Sequence, residues 1–89
     1  MADRQIDCVN KTEKTHEAIT NLGGPYNGRW KWPKAQVVKA IEDKTDTFYT
    51  FVNGRRADVF VQQGAKEKYV QTKADGIWSD NLLALSSCS

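Results

Sequence analysis

Covalent and metal chemistry have few side chains to work with here: the 89 residues hold one histidine, His16, and two cysteines, Cys8 and Cys88. A structural zinc takes about four ligands, and His16 alone could join the two thiols as a nitrogen or sulfur donor, which argues against a metal. No apolar run approaches the roughly 20 residues of a membrane span. The opening Met-Ala-Asp-Arg-Gln lacks the apolar core of a signal peptide, so a cytoplasmic location is expected. No glycine-rich phosphate loop is present, because Gly23-Gly24 has neither the spacing nor the lysine. Internal repeats and low-complexity tracts are missing too, and nothing calls for a cofactor.

What is present is an ordinary globular composition, 39% hydrophobic and 27% charged, enough for a single domain over 1–89 with a modest core. The chain is organised around Asp46 to Thr72. Asn53-Gly54 separates Thr47-Phe48-Tyr49-Thr50-Phe51-Val52 from Ala57-Asp58-Val59-Phe60-Val61. Asn-Gly accepts φ > 0 at both central positions of a type I′ turn, the strongest short-range hairpin signal. Gly64-Ala65-Lys66-Glu67 offers a second turn into Lys68-Tyr69-Val70-Gln71-Thr72.

Parity sorts the side chains of these three strands, since a slip of two residues leaves each face unchanged. Phe48, Thr50, Val52, Ala57, Val59, Val61, Val70 and Thr72 share one face. Tyr49, Phe51, Arg56, Asp58, Phe60, Gln62, Tyr69 and Gln71 share the other. The first face suits helices; the second is aromatic and polar.

Upstream, Gln5 to Asn10 alternates enough for a first strand on an edge of this sheet. Thr15 can cap a short helix over His16–Leu22, with Ile19 and Leu22 buried and Gly23-Gly24 ending it. Pro25 to Lys31 reads as a loop carrying Tyr26 and Trp30, with Trp32 just after it. Pro33 suits the start of a second helix, Lys34–Asp43, whose apolar stripe is Val37, Val38 and Ile41 and whose Lys34 and Lys39 face outward. Downstream, Ala74 to Asn81 is turn-rich, with Asp75 and Asp80 explained by turn chemistry. Leu82-Leu83-Ala84-Leu85 is too apolar to stay in water and should pack on a sheet face or beside the first strand. The expected fold class is α+β, a small antiparallel sheet in the order β-α-α-β-β-β, with two helices on one face and a packed C-terminal segment.

The cysteines leave two alternatives open: reduced thiols, one packed as a small hydrophobe, or a disulfide if strand 1 and the tail are neighbours. The net charge of +2 is too small to imply nucleic acid, and its excess is local, residues 29–44 summing to +3. A solvated helix face explains such a cluster more simply than a ligand does.

Several stretches taken together resemble a bacterial family of small proteins, the domain of unknown function 3892. They are Ile6-Asp7-Cys8-Val9-Asn10-Lys11, His16 with Ile19, Leu22-Gly23-Gly24, Arg29-Trp30, Val38 with Ile41, and the Phe48–Val61 hairpin. Lys68 to Thr72 with Ala74-Asp75, and Asp80 to Leu83 followed by Cys88, complete the set. Pro33 in place of a serine cap, Lys44 in place of a helix-closing glycine and Ser86 in place of a proline depart from the pattern. The resemblance implies architecture and carries no activity.

Three functions compete. An enzyme would need a nucleophile with its base, paired carboxylates or a metal. His16 next to a helix start, and a Cys8–His16 pair with the thiol beside the core, supply none of these convincingly, so no catalytic residue is expected. Single-stranded nucleic acid could stack on Tyr49, Phe51, Phe60 and Tyr69, helped by Arg29-Trp30-Lys31-Trp32 and Arg55-Arg56. The plainer explanation is that the leucine tail or Trp78 covers those rings as a second small core, and no RNA-binding signature is present. A protein or peptide partner, or a homodimer, would use the same surface. The expectation is a non-enzymatic binding module with a protein or peptide partner ahead of nucleic acid, using Arg29, Trp30, Trp32, Arg55 and Arg56, with Tyr49 and Phe60 if exposed.

Overall fold

In the computed structural model, Asn53 and Gly54 both take positive φ, 53° and 77°, and the register pairs Val52 with Arg55 and Thr50 with Ala57. The structure describes residues 2–74, 76–79 and 81–88, so Asp75 and Asp80 lie outside the described residues. The four-residue second turn also forms, with Gln63 opposite Lys68 and Val61 opposite Val70.

The described strands are β1 (Ala2–Gln5), β2 (Cys8–Lys11), β3 (Ile19–Gly24), β4 (Trp30–Pro33), β5 (Asp46–Val52), β6 (Arg55–Gln63), β7 (Lys68–Ala74) and β8 (Ile77–Ser79), with α1 (Lys34–Glu42) between β4 and β5. They build a five-stranded sheet, β1-β5-β6-β7-β8, and a three-stranded sheet, β2-β3-β4. Within the larger sheet β1 runs parallel to β5, while the pairs from β5 to β8 are antiparallel.

The fold is therefore a mixed α/β domain with, among the described residues, one α-helix instead of two. Thr15 does cap, its Oγ1 accepting from Ala18 N at 3.3 Å, but the turn it caps is a single 3₁₀ turn, His16–Ala18. The chain then enters β3. Ile19 and Leu22, three residues apart, are both buried because the β2–β3 register skips Thr20, pairing Lys11 with Ile19 and Asn10 with Asn21. A bulge of this kind mimics the spacing of a helix face. The glycines that follow serve close packing: a Cβ on Gly24 would sit 1.7 Å from Gln5 O, and one on Gly23 2.7 Å from Trp30 O.

The expected first strand is two strands in different sheets. The chain crosses at Ile6-Asp7, where Ile6 N donates to Tyr49 O at 2.7 Å and Asp7 N to Gly23 O at 2.9 Å. Trp30 and Trp32 belong to β4 instead of a loop. Lys34 is not outward: it is 8% exposed, and its Nζ donates to Glu17 O at 3.0 Å and Glu67 Oε1 at 2.6 Å. The ammonium fastens the 3₁₀ turn and the β6–β7 loop to α1. Lys44 ends the helix at φ 60°, the left-handed position that glycine takes without cost.

The valine face points where parity puts it. Phe48, Thr50, Ala57, Val59, Val70 and Thr72 are buried. One core joins Phe48, Val59 and Val70 to Val37 and Val38 of α1, to Val9, Ile19 and Leu22 of the smaller sheet, and to Leu82. Burying a side chain of this size stabilises by about 1.5–3 kcal/mol. The tail lies on this inner face: Asn81 Nδ2 donates to Thr50 Oγ1 at 3.4 Å, Leu82 is fully buried, and Val9 N donates to Ser86 O at 3.0 Å. Among the described residues no helix is long and apolar enough to cross a membrane.

Candidate functional site

With the leucine tail on the inner face, the outer face of the large sheet keeps its rings at the surface. Phe51 is 55% exposed, Phe60 42% and Trp78 41%. Trp78 lies in β8 opposite Lys73, a strand hidden in the turn-rich stretch. Its ring meets Phe60 edge-on, with centroids 6.1 Å apart, and Lys73 Nζ lies 5.0 Å from its centroid. Trp78 thus extends the aromatic strip and covers only part of it. Tyr49 and Tyr69 are half-buried; the His16 ring stacks on Tyr69 at 6.0 Å.

Arg56 closes one end of this strip. Its guanidinium carbon lies 4.1 Å over the Tyr49 ring, with Nη1 2.9 Å from Asp3 Oδ2 and Nε 2.9 Å from Asp58 Oδ1. The hydrogen bond from Arg56 holds the Asp3 carboxyl below its ordinary range, against a smaller upward push from burial, and Thr47 Oγ1 donates to it as well. In return the two carboxylates raise Arg56 above its ordinary value.

Beside this end the sheet splits. β5 and β6 are in register only from Tyr49–Asp58 to Val52–Arg55, although β5 begins at Asp46 and β6 runs on to Gln63. Residues 46–49 pair with β1 on their other edge. Where β5 and β6 part, a cleft of about 500 Å³ opens, walled by Ile41, Phe48, Val59 and Phe60, with Asp3, Lys44, Asp46, Arg56 and Asp58 around it. Phe60 belongs to both the cleft and the aromatic strip.

The predicted site residues do not form one surface. Phe60 and Tyr49 are on the outer face, and Arg56 is there but internally paired. Arg55 is exposed at the hairpin tip opposite Val52. Arg29 is far from free: its Nη2 lies 2.7 Å from Asp7 Oδ1, and that bond raises the guanidinium above its ordinary value. Trp30 and Trp32 pack on Phe48, with ring centroids at 5.6 and 6.0 Å. Together with Tyr26 they enclose Arg4, whose guanidinium carbon is 4.6 Å from the Trp32 centroid, 4.9 Å from Tyr26 and 5.8 Å from Trp30. Arg4 also pairs with Asp46, Nε to Oδ2 at 2.8 Å. The cation–aromatic interleaving of residues 29–32 is thus an internal cage for an arginine of the chain itself. Sequence reasoning passed over Arg4 and the cleft and took Trp78 only as a cover for the rings; Arg4, one residue before the predicted first strand, was the available signal for the first.

The two cysteines form a disulfide, with Cα atoms 5.0 Å apart, so the reduced alternative does not hold and the thiol of a Cys8–His16 pair is taken up. The tail supplies the reason, running beside β2 with Ser86 bridged in parallel to Cys8.

No curated protein and no solved structure matches this chain. The family model described as "Protein of unknown function (DUF3892)" matches residues 5–86, nearly the whole length, and the chain belongs to that family.

Proposed function

We propose that this chain is a small non-enzymatic binding module whose outer sheet face docks a protein or peptide segment. The observation that carries it is the exposure of Phe51, Phe60 and Trp78 on one face while the leucine tail is spent on the other. Clustered exposed rings of this kind mark interaction sites, and aromatic residues with arginine are the enriched components of interface cores. The cleft adds depth: an apolar side chain of the partner can enter between β5 and β6 against Ile41 and Phe60 while its neighbours lie across the strip.

Charge favours a protein over nucleic acid. Asp3, Asp46 and Asp58 surround the cleft, and Arg56 and Arg29 are already engaged by carboxylates at 2.7–2.9 Å. A phosphate binding at Arg56 or Arg29 would have to displace those partners.

The test is selection from a displayed random-peptide library on the folded chain, with counter-selection on Phe60→Ser. Selected peptides should bind wild type with an affinity that changes little between low and moderate salt. Phe60→Ser or Trp78→Ala should each weaken binding by about 2 kcal/mol, the size of an aromatic hot spot. Failure to select any Phe60-dependent peptide contradicts the proposal. Single-stranded oligonucleotide binding that collapses with salt would favour the nucleic-acid alternative.

A further inference from the structure

The Cys8–Cys88 bond stands apart from the outer face, and its two sulfurs have different surroundings. Cys8 is buried, 6% exposed, and its Sγ lies 3.6 Å from Arg29 Nη2. That guanidinium is fixed by Asp7, with Nη2–Oδ1 at 2.7 Å and Nη1–Oδ2 at 3.3 Å. Cys88 is half-buried and has no cation beside it among the described contacts. Gly23 lies against both sulfurs, since a Cβ there would come 3.0 Å from Cys8 Sγ and 3.2 Å from Cys88 Sγ; a thiol must therefore approach from the other side.

A cation beside a sulfur stabilises its thiolate, and in thiol–disulfide exchange the sulfur with the lower thiol pKa leaves faster. We infer that Cys8–Cys88 is an exchange site at which a small-molecule thiol becomes attached to Cys88 while Cys8 departs as a thiolate beside Arg29. The incoming thiolate forms a bond to Cys88 Sγ, the Cys88–Cys8 bond breaks, and its electron pair stays on Cys8 Sγ. One disulfide replaces another, so no further oxidant or reductant is consumed. The tail has other holds, through Leu82 in the core, the Val9 N bond to Ser86 O, and the bond from Asn10 Nδ2 to Cys88 O at 3.0 Å. Exchange therefore proceeds within the folded protein. Asp7 opposes the effect, because its carboxylate offsets the Arg29 charge nearest Cys8.

The experiment treats the oxidised full chain with glutathione at fixed pH. Mass spectrometry follows adduct formation, and peptide mapping after alkylation locates it. The expected adduct is on Cys88 with the alkylated thiol at Cys8. Arg29→Gln should slow formation by roughly threefold or more, whereas Asp7→Asn should quicken it. Opposite signs are the diagnostic result, because simple loosening of the Asp7–Arg29 contact would move both variants the same way. An adduct on Cys8, rate changes of the same sign, or exchange no faster than global unfolding measured in urea would each overturn the proposal.

Discussion

Both faces of the five-stranded sheet hold an arginine over aromatic rings, and β1 supplies the inner arginine, Arg4, and a carboxylate partner of the outer one, Asp3. On the inner side Arg4 is enclosed by Trp32, Tyr26 and Trp30 and paired with Asp46, the two charged side chains only 19% and 14% exposed. On the outer side Arg56 lies over Tyr49 between Asp3 and Asp58, all three side chains about half exposed. The chemistry is the same and the solvent is different. Water screens the outer pairs and leaves them weak, whereas breaking a partly desolvated pair strands a charge. Trp30 and Trp32 are thus committed to the fold, Tyr26 stays 43% exposed, and Phe51, Phe60 and Trp78 on the outer side stay at the surface.

Substitutions should divide along that line. The largest effect belongs to the inner face: Val59→Asp buries an unpaired charge beside Phe48 and α1, a penalty comparable to the whole stability of a small domain. No cooperative melting transition should remain by circular dichroism; a normal melt would mean the faces are assigned wrongly. Next comes the link across the ends. Replacing Cys8 and Cys88 together by serine removes a cross-link spanning 80 residues, which the chain-entropy treatment values at about 4–5 kcal/mol, read as a lowered urea midpoint. Third, Arg4→Ala should cost about 2–3 kcal/mol through the lost cage contacts and a stranded Asp46. Arg56→Ala should cost less than about 1 kcal/mol. Equal costs would erase the distinction between the faces.

The smallest effect concerns pH. Asp3 has its folded-state pKa lowered, chiefly by the hydrogen bond from Arg56. A depressed carboxylate contributes stability above its unfolded value, near 3.9, and loses it as pH falls through the folded one. The stability difference between wild type and Arg56→Ala should therefore be constant at neutral pH and shrink on acidification below about pH 4. Urea midpoints of the two proteins across that range provide the check, and a difference that grows with acid would contradict it.

The outer-face hairpin was legible because it rests on local rules. Asn53-Gly54 fixes the turn, period-2 alternation fixes the faces, and both hold whatever packs above them. The α1 stripe of Val37, Val38 and Ile41 was legible for the same reason. The N-terminal third was not: the bulge at Thr20 gives Ile19 and Leu22 helical spacing within a strand, and Gly23-Gly24 looks like a helix end when it is a close crossing of strands. Arg29 looked free because its carboxylate, Asp7, lies 22 residues away. For Arg56 the distant partner is Asp3, 53 residues away, while Asp58, two residues on and on the same face, was within reach of sequence reasoning. The Cys8–Cys88 pairing depends on a tail position that no local pattern encodes.

The chain has three phenylalanines, and they divide between the faces: Phe48 is buried, while Phe51 and Phe60 are exposed. Incorporating 4-fluorophenylalanine and adding a soluble paramagnetic chelate to the dilute protein reads this division directly by fluorine NMR. An open outer face predicts that the resonances of Phe51 and Phe60 broaden strongly while that of Phe48 stays sharp. Phe51 and Phe60 as well protected as Phe48 would contradict it.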